Sequence, residues 1–229
     1  MNEQRDSEKA AMLQSTQGAV PQAGTSRDAM LRSSYPSQTE DRILWIDGVG
    51  GFLLVERDEV VIGQAISGNQ TDIRIVGDVS RRAASIRRSG GDYLLQAFQS
   101  SWLDGRSVDR PQLLQDGSQV QLGDCVQLGF NQPNPLSATA SLHLTSLNKF
   151  KPNVDAVLLL ADSCVIGPAA GSHIHCPTWK SELLMFRHGD TWFFRTLQSV
   201  QVDGNEQVGQ IALVPGMRMQ GEDFSMSVE

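Results

Sequence analysis

The densest group of basic side chains lies between residues 74 and 88. It consists of Arg74, Arg81, Arg82, Arg87 and Arg88. A guanidinium group forms short, charge-assisted and often bidentate hydrogen bonds with carboxylates and phosphates. The group could therefore steer an acidic or phosphorylated peptide towards this part of the chain. The alternative is that Arg87 and Arg88 end a strand and keep its outer face in contact with water.

Other patterns that could carry chemistry are weaker. His173, His175 and Cys176 could suggest a metal site, because alternate residues of a strand share one face. No further ligand lies nearby in sequence, and we expect Ile174 and Cys176 to point inward with both histidines outward. The sequence contains no nucleophile elbow, no phosphate-binding loop and no His-Glu-x-x-His zinc motif. We therefore predict that the protein is not an enzyme and that it holds no cofactor and no metal.

Composition and charge narrow the class of protein further. The chain has 229 residues, of which 40% are hydrophobic, and this is enough for a packed core. Its net charge is −7 and no segment has a basic excess, so neither nucleic acid nor a membrane surface is an expected partner. No run approaches the roughly 18 apolar residues of a membrane helix. Three cysteines at irregular spacing argue against a disulfide framework and favour the reducing cytoplasm.

The pattern of apolar residues predicts many short strands. Residues 1–40 are rich in Gln, Ser, Ala and Thr without an apolar period, and we expect them to form a disordered tail. From Arg42 onward, apolar runs of a few residues alternate with turn signals such as Asp104-Gly105 and Asp116-Gly117. No long helical period appears. The predicted fold class is all-β, with the strands arranged in β-sandwiches.

The second half of the chain repeats the order of motifs in the first half. The matching pairs are Val61–Gln64 with Val165–Pro168, Asp72–Ile75 with His173–Cys176, and Gln99–Gly105 with Gln198–Gly204. A repeat of about 100 residues is too long for a solenoid unit. We predict two tandem copies of one sandwich at 41–148 and 154–229, joined by a linker near residues 146–153.

The first copy resembles a forkhead-associated (FHA) domain over roughly residues 42–146. The motifs that carry the resemblance are Ile62-Gly63, Asp72–Ile75, Ser80–Ile86, Leu103-Asp104-Gly105 and the segment Leu114–Leu128. The resemblance implies an eleven-stranded β-sandwich whose loops at one end bind phosphothreonine peptides. A phosphate brings about two negative charges and three strong acceptor oxygens, which call for a guanidinium and for hydroxyl or amide donors.

The resemblance also indicates which residues would bind the phosphopeptide. Ser80 and Arg81 match the family's Ser-Arg pair. Gln64 stands where the family has an arginine after Ile-Gly, and Gln99 and Ser101 lie in the segment that matches the family's Ser-x-Asn-Gly-Thr turn. The implied phosphopeptide site therefore consists of Ser80, Arg81, Gln64, Gln99 and Ser101.

The second copy departs further from the family pattern. Pro168 replaces the arginine, and Lys180-Ser181-Glu182 stands where the family has Ser-Arg and the residue after it. In the first copy, Ala83 replaces the family's supporting histidine. We interpret the second copy as a degenerate module. The resemblance implies a cytoplasmic signalling adaptor that binds a phosphothreonine or acidic peptide, for example in a Ser/Thr kinase substrate. The alternative is a degenerate FHA scaffold that associates with proteins independently of phosphate.

Overall fold

The computed structural model describes residues 42–229, which form strands and turns and contain no helix. None of these residues therefore belongs to a helix that could span a membrane. The predicted tail at 1–40 lies outside the described residues. The strands are β1 Arg42–Ile46, β2 Gly50–Val55, β3 Glu59–Gln64, β4 Ile73–Val76, β5 Ala84–Ser89, β6 Asp92–Ala97, β7 Ser101–Leu103, β8 Arg106–Ser107, β9 Gln112–Leu114, β10 Gln119–Leu122, β11 Val126–Asn131, β12 Ala140–Leu144, β13 Lys149–Lys151, β14 Ala156–Leu159, β15 Ser163–Gly167, β16 Ile174–His175, β17 Leu183–His188, β18 Thr191–Val202, β19 Asn205–Ala212, β20 Arg218–Gln220 and β21 Ser225–Val228.

The strands form two sheets, and the protein is an all-β fold with sandwich-like packing, as the sequence predicts. One sheet has 15 strands in the order β16-β15-β17-β18-β20-β21-β1-β2-β14-β12-β11-β10-β7-β8, with β19 paired to β18. The other has six strands in the order β13-β4-β3-β5-β6-β9. Most strands other than β18 and β19 are short because turn residues interrupt the apolar runs.

Two Asp-Gly turns show how the local sequence sets the strand ends. Asp104 and Gly105 have φ values of 49° and 78°, and Asp203 and Gly204 have values of 50° and 82°. Two consecutive residues with positive φ close a tight hairpin whose twist matches that of its strands. Asp104 Oδ1 accepts a hydrogen bond of 2.8 Å from the Gln119 amide, and Asp203 Oδ1 accepts one of 2.9 Å from Arg218. The first turn is thereby tied to β10 and the second to β20.

The hydrophobic side chains form two cores on opposite faces of a shared wall made by β2 and β14. Along β2, Leu53 and Val55 face the first core, whereas Phe52 and Leu54 face the second. The two strands are parallel, and Leu53 lies opposite Val157. A strand that is buried on both faces needs a continuous apolar run, and the sequence Phe-Leu-Leu-Val of β2 supplies one.

The strands next to this wall are β1, which pairs with β2, and β12, which pairs with β14. β12 lies beside β11 in the first half, and β1, although it begins the described chain, lies beside β21 at its end. Both pairings are antiparallel. Leu142 lies opposite Phe130 in the first, and Leu44 lies opposite Val228 in the second. Residues 41–229 form one compact unit. The boundaries at 41–148 and 154–229 stay a prediction.

Candidate functional site

Three loops meet at one end of the six-stranded sheet and carry the predicted phosphopeptide site. They are the β3–β4 loop at 65–72, the β4–β5 loop at 77–83 and the β6–β7 loop at 98–100. The Gln64 amide donates a hydrogen bond of 3.0 Å to the Ser80 carbonyl, and the Phe98 amide donates one of 2.8 Å to Ala83. These backbone bonds fix the three loops relative to one another.

Gly63 allows the close approach of the loop that carries Ser80 and Arg81. A Cβ atom at residue 63 would collide with the carbonyl oxygen of Arg81, which is backbone and has no rotamer to adopt. The Ile-Gly motif therefore has a packing reason, because the isoleucine fills the core and the glycine leaves room for the loop. At the matching Gly167, a Cβ would lie 2.9 Å from Glu182 Cγ, which can move, and 3.0 Å from the Glu182 Cα, so the approach of backbone is less close there.

Ser80 and Gln99 come together across two loops. The Ser80 hydroxyl donates a hydrogen bond to the Gln99 side-chain oxygen. Ser80 is half-buried and Gln99 is exposed, so both polar groups lie at the rim of the loop end. Two residues that the sequence places 19 positions apart thus form one polar pair.

Gln64 and Ser101 point their polar groups at the backbone. The Gln64 amide nitrogen donates a hydrogen bond of 3.2 Å to the Gly77 carbonyl. Ser101 is buried, and its hydroxyl donates one of 2.9 Å to the Gln99 carbonyl. Of the five predicted site residues, these two hold loops in place, while Ser80, Arg81 and Gln99 present polar groups at the surface.

Arg81 and Arg82 supply the positive charge of this loop end. Both side chains are exposed, and neither forms an ion pair with any of the residues described. The Arg82 guanidinium lies 5.1 Å from the centre of the Phe98 ring, a cation–π contact that directs it towards the β6–β7 loop. Both charges thus lie at the surface of the loop that carries Ser80.

Arg88, another member of the basic group, forms its hydrogen bonds within the folded structure. Its guanidinium donates hydrogen bonds of 2.6 Å both to Asp58 and to the Leu160 carbonyl. Burial lowers the pKa of Arg88, but the bonds to Asp58 and Tyr93 outweigh it and the pKa is raised. This arginine joins β5 to the chain segment after β14, so it does not belong to the loop-end surface.

A shallow pocket of about 330 Å³ adjoins Gln99. It is lined by residues 97–102 and 107–109, with Phe98, Trp102 and Val108 as its apolar members. Trp102 is half-buried, which leaves part of the indole at the pocket surface. The loop end thus offers a mainly polar recess with aromatic side chains in its wall, next to the polar pair.

Asn69 is a site residue that the sequence analysis missed. Its amide nitrogen donates hydrogen bonds of 3.0 Å to the Gln64 carbonyl and 2.6 Å to the Arg81 carbonyl. It therefore ties the β3–β4 loop to the backbone of Arg81. The signal was present in Gly68-Asn69, because an asparagine in a glycine turn commonly bonds to nearby backbone.

The corresponding loop end of the second half has no free cation of this kind. The Lys180 ammonium pairs with Glu222, and its backbone amide donates to Asp223. The hydrogen bond to Glu222 raises the pKa of the exposed Lys180. The neighbouring Trp179 stacks on Phe224 with ring centres 4.7 Å apart. At this loop end the charged side chains pair with each other, and the aromatic rings stack on each other.

The histidines and cysteines of the second half are structural. His173 Nδ1 accepts a hydrogen bond of 2.9 Å from the Val165 amide, and burial lowers its pKa. The prediction that both histidines face outward is wrong for His173, which precedes the two-residue strand β16 and does not follow its alternation. His175 is exposed, and burial raises the pKa of the Cys176 thiol to about 11. Residues 42–229 contain no cluster of three metal-ligating side chains.

The comparisons with known proteins identify no family for this chain. No family model matches the chain, and no curated protein matches it. A solved structure, the N-terminal FHA domain of EssC, a component of the bacterial type VII secretion apparatus, is similar over 82% of this chain and 92% of that chain. The identity is 10% and the TM-score is 0.23, so this similarity supports no conclusion by itself. No catalytic family is indicated.

Proposed function

We propose that this protein is a non-enzymatic signalling adaptor whose first half binds a phosphothreonine or acidic peptide at the loop end around Ser80 and Arg81. The observation that carries the proposal is the adjacency of a surface hydroxyl and two exposed guanidinium groups that have no acidic partner among the described residues. Phosphate prefers such a combination of charge and directional donors. The partner would be, for example, the substrate of a Ser/Thr kinase.

The contacts around Ser80 suggest how a phosphate would be held. The Ser80 hydroxyl, which donates to Gln99 in the free protein, would donate to a phosphate oxygen, with Arg81 alongside. Gln99 would then keep an amide free for the peptide backbone. Gln64, Asn69 and Ser101 would hold the loops in position through their bonds to backbone carbonyls.

The proposal includes two tandem FHA-like units, of which the second is degenerate. It is supported by recurrent pairings, because the parallel pair Ile62–Ile73 of β3 and β4 matches Ile166–Ile174 of β15 and β16. The pairing of β7 with β10 likewise matches that of β18 with β20. Such a duplication would explain why the scaffold recurs while the charged loop end occurs only in the first half.

Titration with a degenerate phosphothreonine peptide library, beside its unphosphorylated twin, tests the proposal. We expect saturable binding of the phosphorylated library only. Arg81→Ala removes a charged contact worth about 1.5–3 kcal/mol and should weaken binding about 10-fold to 150-fold. Arg87→Ala is the matched control, because Arg87 is also exposed but lies on β5 away from the loops. Equal affinity of wild type and Arg81→Ala would refute the role of Arg81.

A phosphate-independent scaffold is the second candidate, and the outer face of β17 and β18 favours it. Phe186 and Phe193 stack there with ring centres 5.9 Å apart, and the Arg195 guanidinium lies 5.5 Å from the centre of the Phe186 ring. Both rings are only half-buried. Aromatic residues and arginines are enriched at the centres of protein interfaces. Equal binding of the phosphorylated and unphosphorylated libraries would support this candidate.

We also propose that the protein works in the cytoplasm, without nucleic acid or membrane as a partner. The support is the acidic net charge of −7 and the free state of Cys125, Cys164 and Cys176. Phosphopeptide partners are made by cytoplasmic kinases, which fits the same location. Cell fractionation with an antibody against the chain would test this part of the proposal.

A further inference from the structure

The hairpin of β18 and β19 ends in an unprotected sheet edge. Among the described strands, β19 pairs only with β18. It is eight residues long with the sequence Asn-Glu-Gln-Val-Gly-Gln-Ile-Ala, so it contains one charged residue and no proline. Natural sheets usually blunt a long edge with lysines, prolines or a very short strand, because free backbone groups there pair with other chains.

The hydrogen bonds of the hairpin show which backbone groups face the free edge. The Leu213 amide donates a hydrogen bond of 2.8 Å to the Trp192 carbonyl, and hydrogen-bonded pairs alternate along an antiparallel ladder. The odd-numbered residues of β19 therefore bond towards β18. The residues whose N–H and C=O groups point to the free edge are the even-numbered ones: Glu206, Val208, Gln210 and Ala212.

The side chains at the middle of this edge are apolar and exposed. Val208 is 66% exposed, and Leu197, which lies beside it at the irregularity of β18, is 93% exposed. The neighbouring Gly209 has no described atom within 4 Å of the place where a Cβ would stand. The centre of β19 thus combines free hydrogen-bonding groups, an apolar surface and open space.

We propose that two copies of this chain associate by antiparallel pairing of their β19 edges, with the two-fold axis at Val208. An axis through any one residue of β19 satisfies the rule that residues lying opposite each other share a face, so the side chains decide between the possible axes. At Val208 the valine meets its own copy, and Glu206 meets Gln210 of the second copy, whose amide can donate to the carboxylate. At Glu206 two carboxylates would meet.

This register places the exposed apolar side chain of Val208 at the centre of the contact. Centring on Val208 pairs residues 205–211 with the second copy, and it creates hydrogen-bonded pairs at 206, 208 and 210. The apolar surface of Val208 is then partly removed from water in each copy. Because the contact is only one strand wide, we expect a weak dimer that forms with increasing concentration. The proposal does not depend on phosphopeptide binding.

Disulfide capture tests the register directly. In a Cys125→Ser background, Val208→Cys places two thiols at the axis, where hydrogen-bonded partners have Cα atoms about 5.5 Å apart, within disulfide reach. Gln210→Cys is the matched control on the same strand and face, but its two copies would lie about 13 Å apart. Under mild oxidation we expect Val208→Cys to form covalent dimers at least about tenfold faster. Equal or faster capture through Gln210→Cys would overturn the proposal.

Sedimentation equilibrium of the full chain tests the association itself. We expect a concentration-dependent dimer that Val208→Pro weakens at least about tenfold, because proline removes the N–H at the axis. The hairpin tolerates this change, since that N–H does not bond to β18. Val208→Thr keeps the N–H and should dimerise like the wild type. A wild-type chain that is monomeric throughout, or a proline variant that dimerises equally well, would overturn the proposal.

Discussion

The two halves of the molecule place different chemistry at positions that match in the strand pairing. Asp72 Oδ2 accepts a hydrogen bond of 2.7 Å from the Val61 amide, and His173 Nδ1 accepts one of 2.9 Å from the Val165 amide. In both halves the backbone amide of the same residue donates back to that valine, at 2.9 Å. The position before the short strand thus requires an acceptor, and a carboxylate and an imidazole both provide one.

The loop ends differ in a way that bears on function. In the first half Arg81 and Arg82 are exposed without an acidic partner among the described residues, while in the second half Lys180 pairs with Glu222. A charge that already has a partner gives little to a new ligand. At matching strand pairings, the two halves therefore differ in whether the cation has an acidic partner among the described residues.

The largest expected effect is on the free energy of unfolding, when neighbouring leucines of the shared wall that pack into different cores are replaced. Leu53 and Leu54 are neighbours on β2, are 1% and 5% exposed, and face opposite cores. Replacing either by alanine should cost about 2–5 kcal/mol of unfolding free energy. Hydrogen exchange should then show loss of protection mainly in β3 and β5 for Leu53→Ala, and in β15 and β17 for Leu54→Ala.

Leu197→Ala is the control for this pair, because its side chain is 93% exposed and the change should leave stability nearly unaltered. If Leu53→Ala and Leu54→Ala expose the same strands to exchange, the cores do not respond separately and the division into two halves fails.

The next effect compares two matching arginines. The Arg88 side chain is 12% exposed and bonds to both Asp58 and the Leu160 carbonyl, whereas Arg187 is 38% exposed and bonds only to Asp162, at 3.1 Å. Arg88→Ala should lower the unfolding free energy by about 1.5–3 kcal/mol, because a buried carbonyl loses its donor. Arg187→Ala should cost at most about 1 kcal/mol. Urea denaturation would measure both, and similar costs would contradict the assignment.

Replacing the matching glycines Gly63 and Gly167 by alanine compares how closely the backbone packs at the two loop ends. Gly63→Ala should destabilise the protein by about 1–3 kcal/mol, because the Cβ would meet the Arg81 backbone. It should also weaken phosphopeptide binding by displacing Ser80 and Arg81. Gly167→Ala should cost less, since the backbone atom that its Cβ would meet, Glu182 Cα, lies 3.0 Å away and the Cγ at 2.9 Å can turn away. Thermal unfolding and peptide titration of both variants provide the measurement, and a larger cost at Gly167 would count against the packing reason given for Gly63.

The smallest expected effect is a dependence on pH in the second half. Burial lowers the pKa of His173 in the folded protein, so the unfolded chain binds a proton more readily. The contribution of neutral His173 to the free energy of unfolding is complete above the ordinary histidine pKa of about 6.5. It declines as the pH falls below that value. His173→Asn keeps an acceptor for Val165 and should flatten this part of the stability curve. Denaturation at several pH values between about 7.5 and 5 would show the difference, and parallel curves would argue against it.

Much of the fold could be predicted from the sequence because turn residues and short apolar runs are local signals. The strands around Asp104-Gly105 and Asp203-Gly204 lie where the turns predict them. The pairing of β1 with β21 could not be predicted, since no local pattern specifies a partner more than 170 residues away. The two-sided burial of β2 was visible as a continuous apolar run, but not which face meets which core.

The candidate site was predictable only in part for the same reason. Ser80 and Arg81 follow from a motif, and in the structure they lie on the β4–β5 loop, Ser80 half-buried and Arg81 exposed. The burial of Ser101 and the bond from Ser80 to Gln99 depend on how the β6–β7 loop folds back on the sheet. The bridging role of Asn69 depends on two loops meeting, which no single segment encodes.

The most direct test of the central claim is amide chemical-shift mapping by NMR during addition of the phosphothreonine library, with the unphosphorylated library as reference. The account predicts phosphate-dependent shifts at residues 80–82, Asn69 and 98–101, and none at 180–182. Shifts centred on the second half, or identical shifts with both libraries, would contradict it.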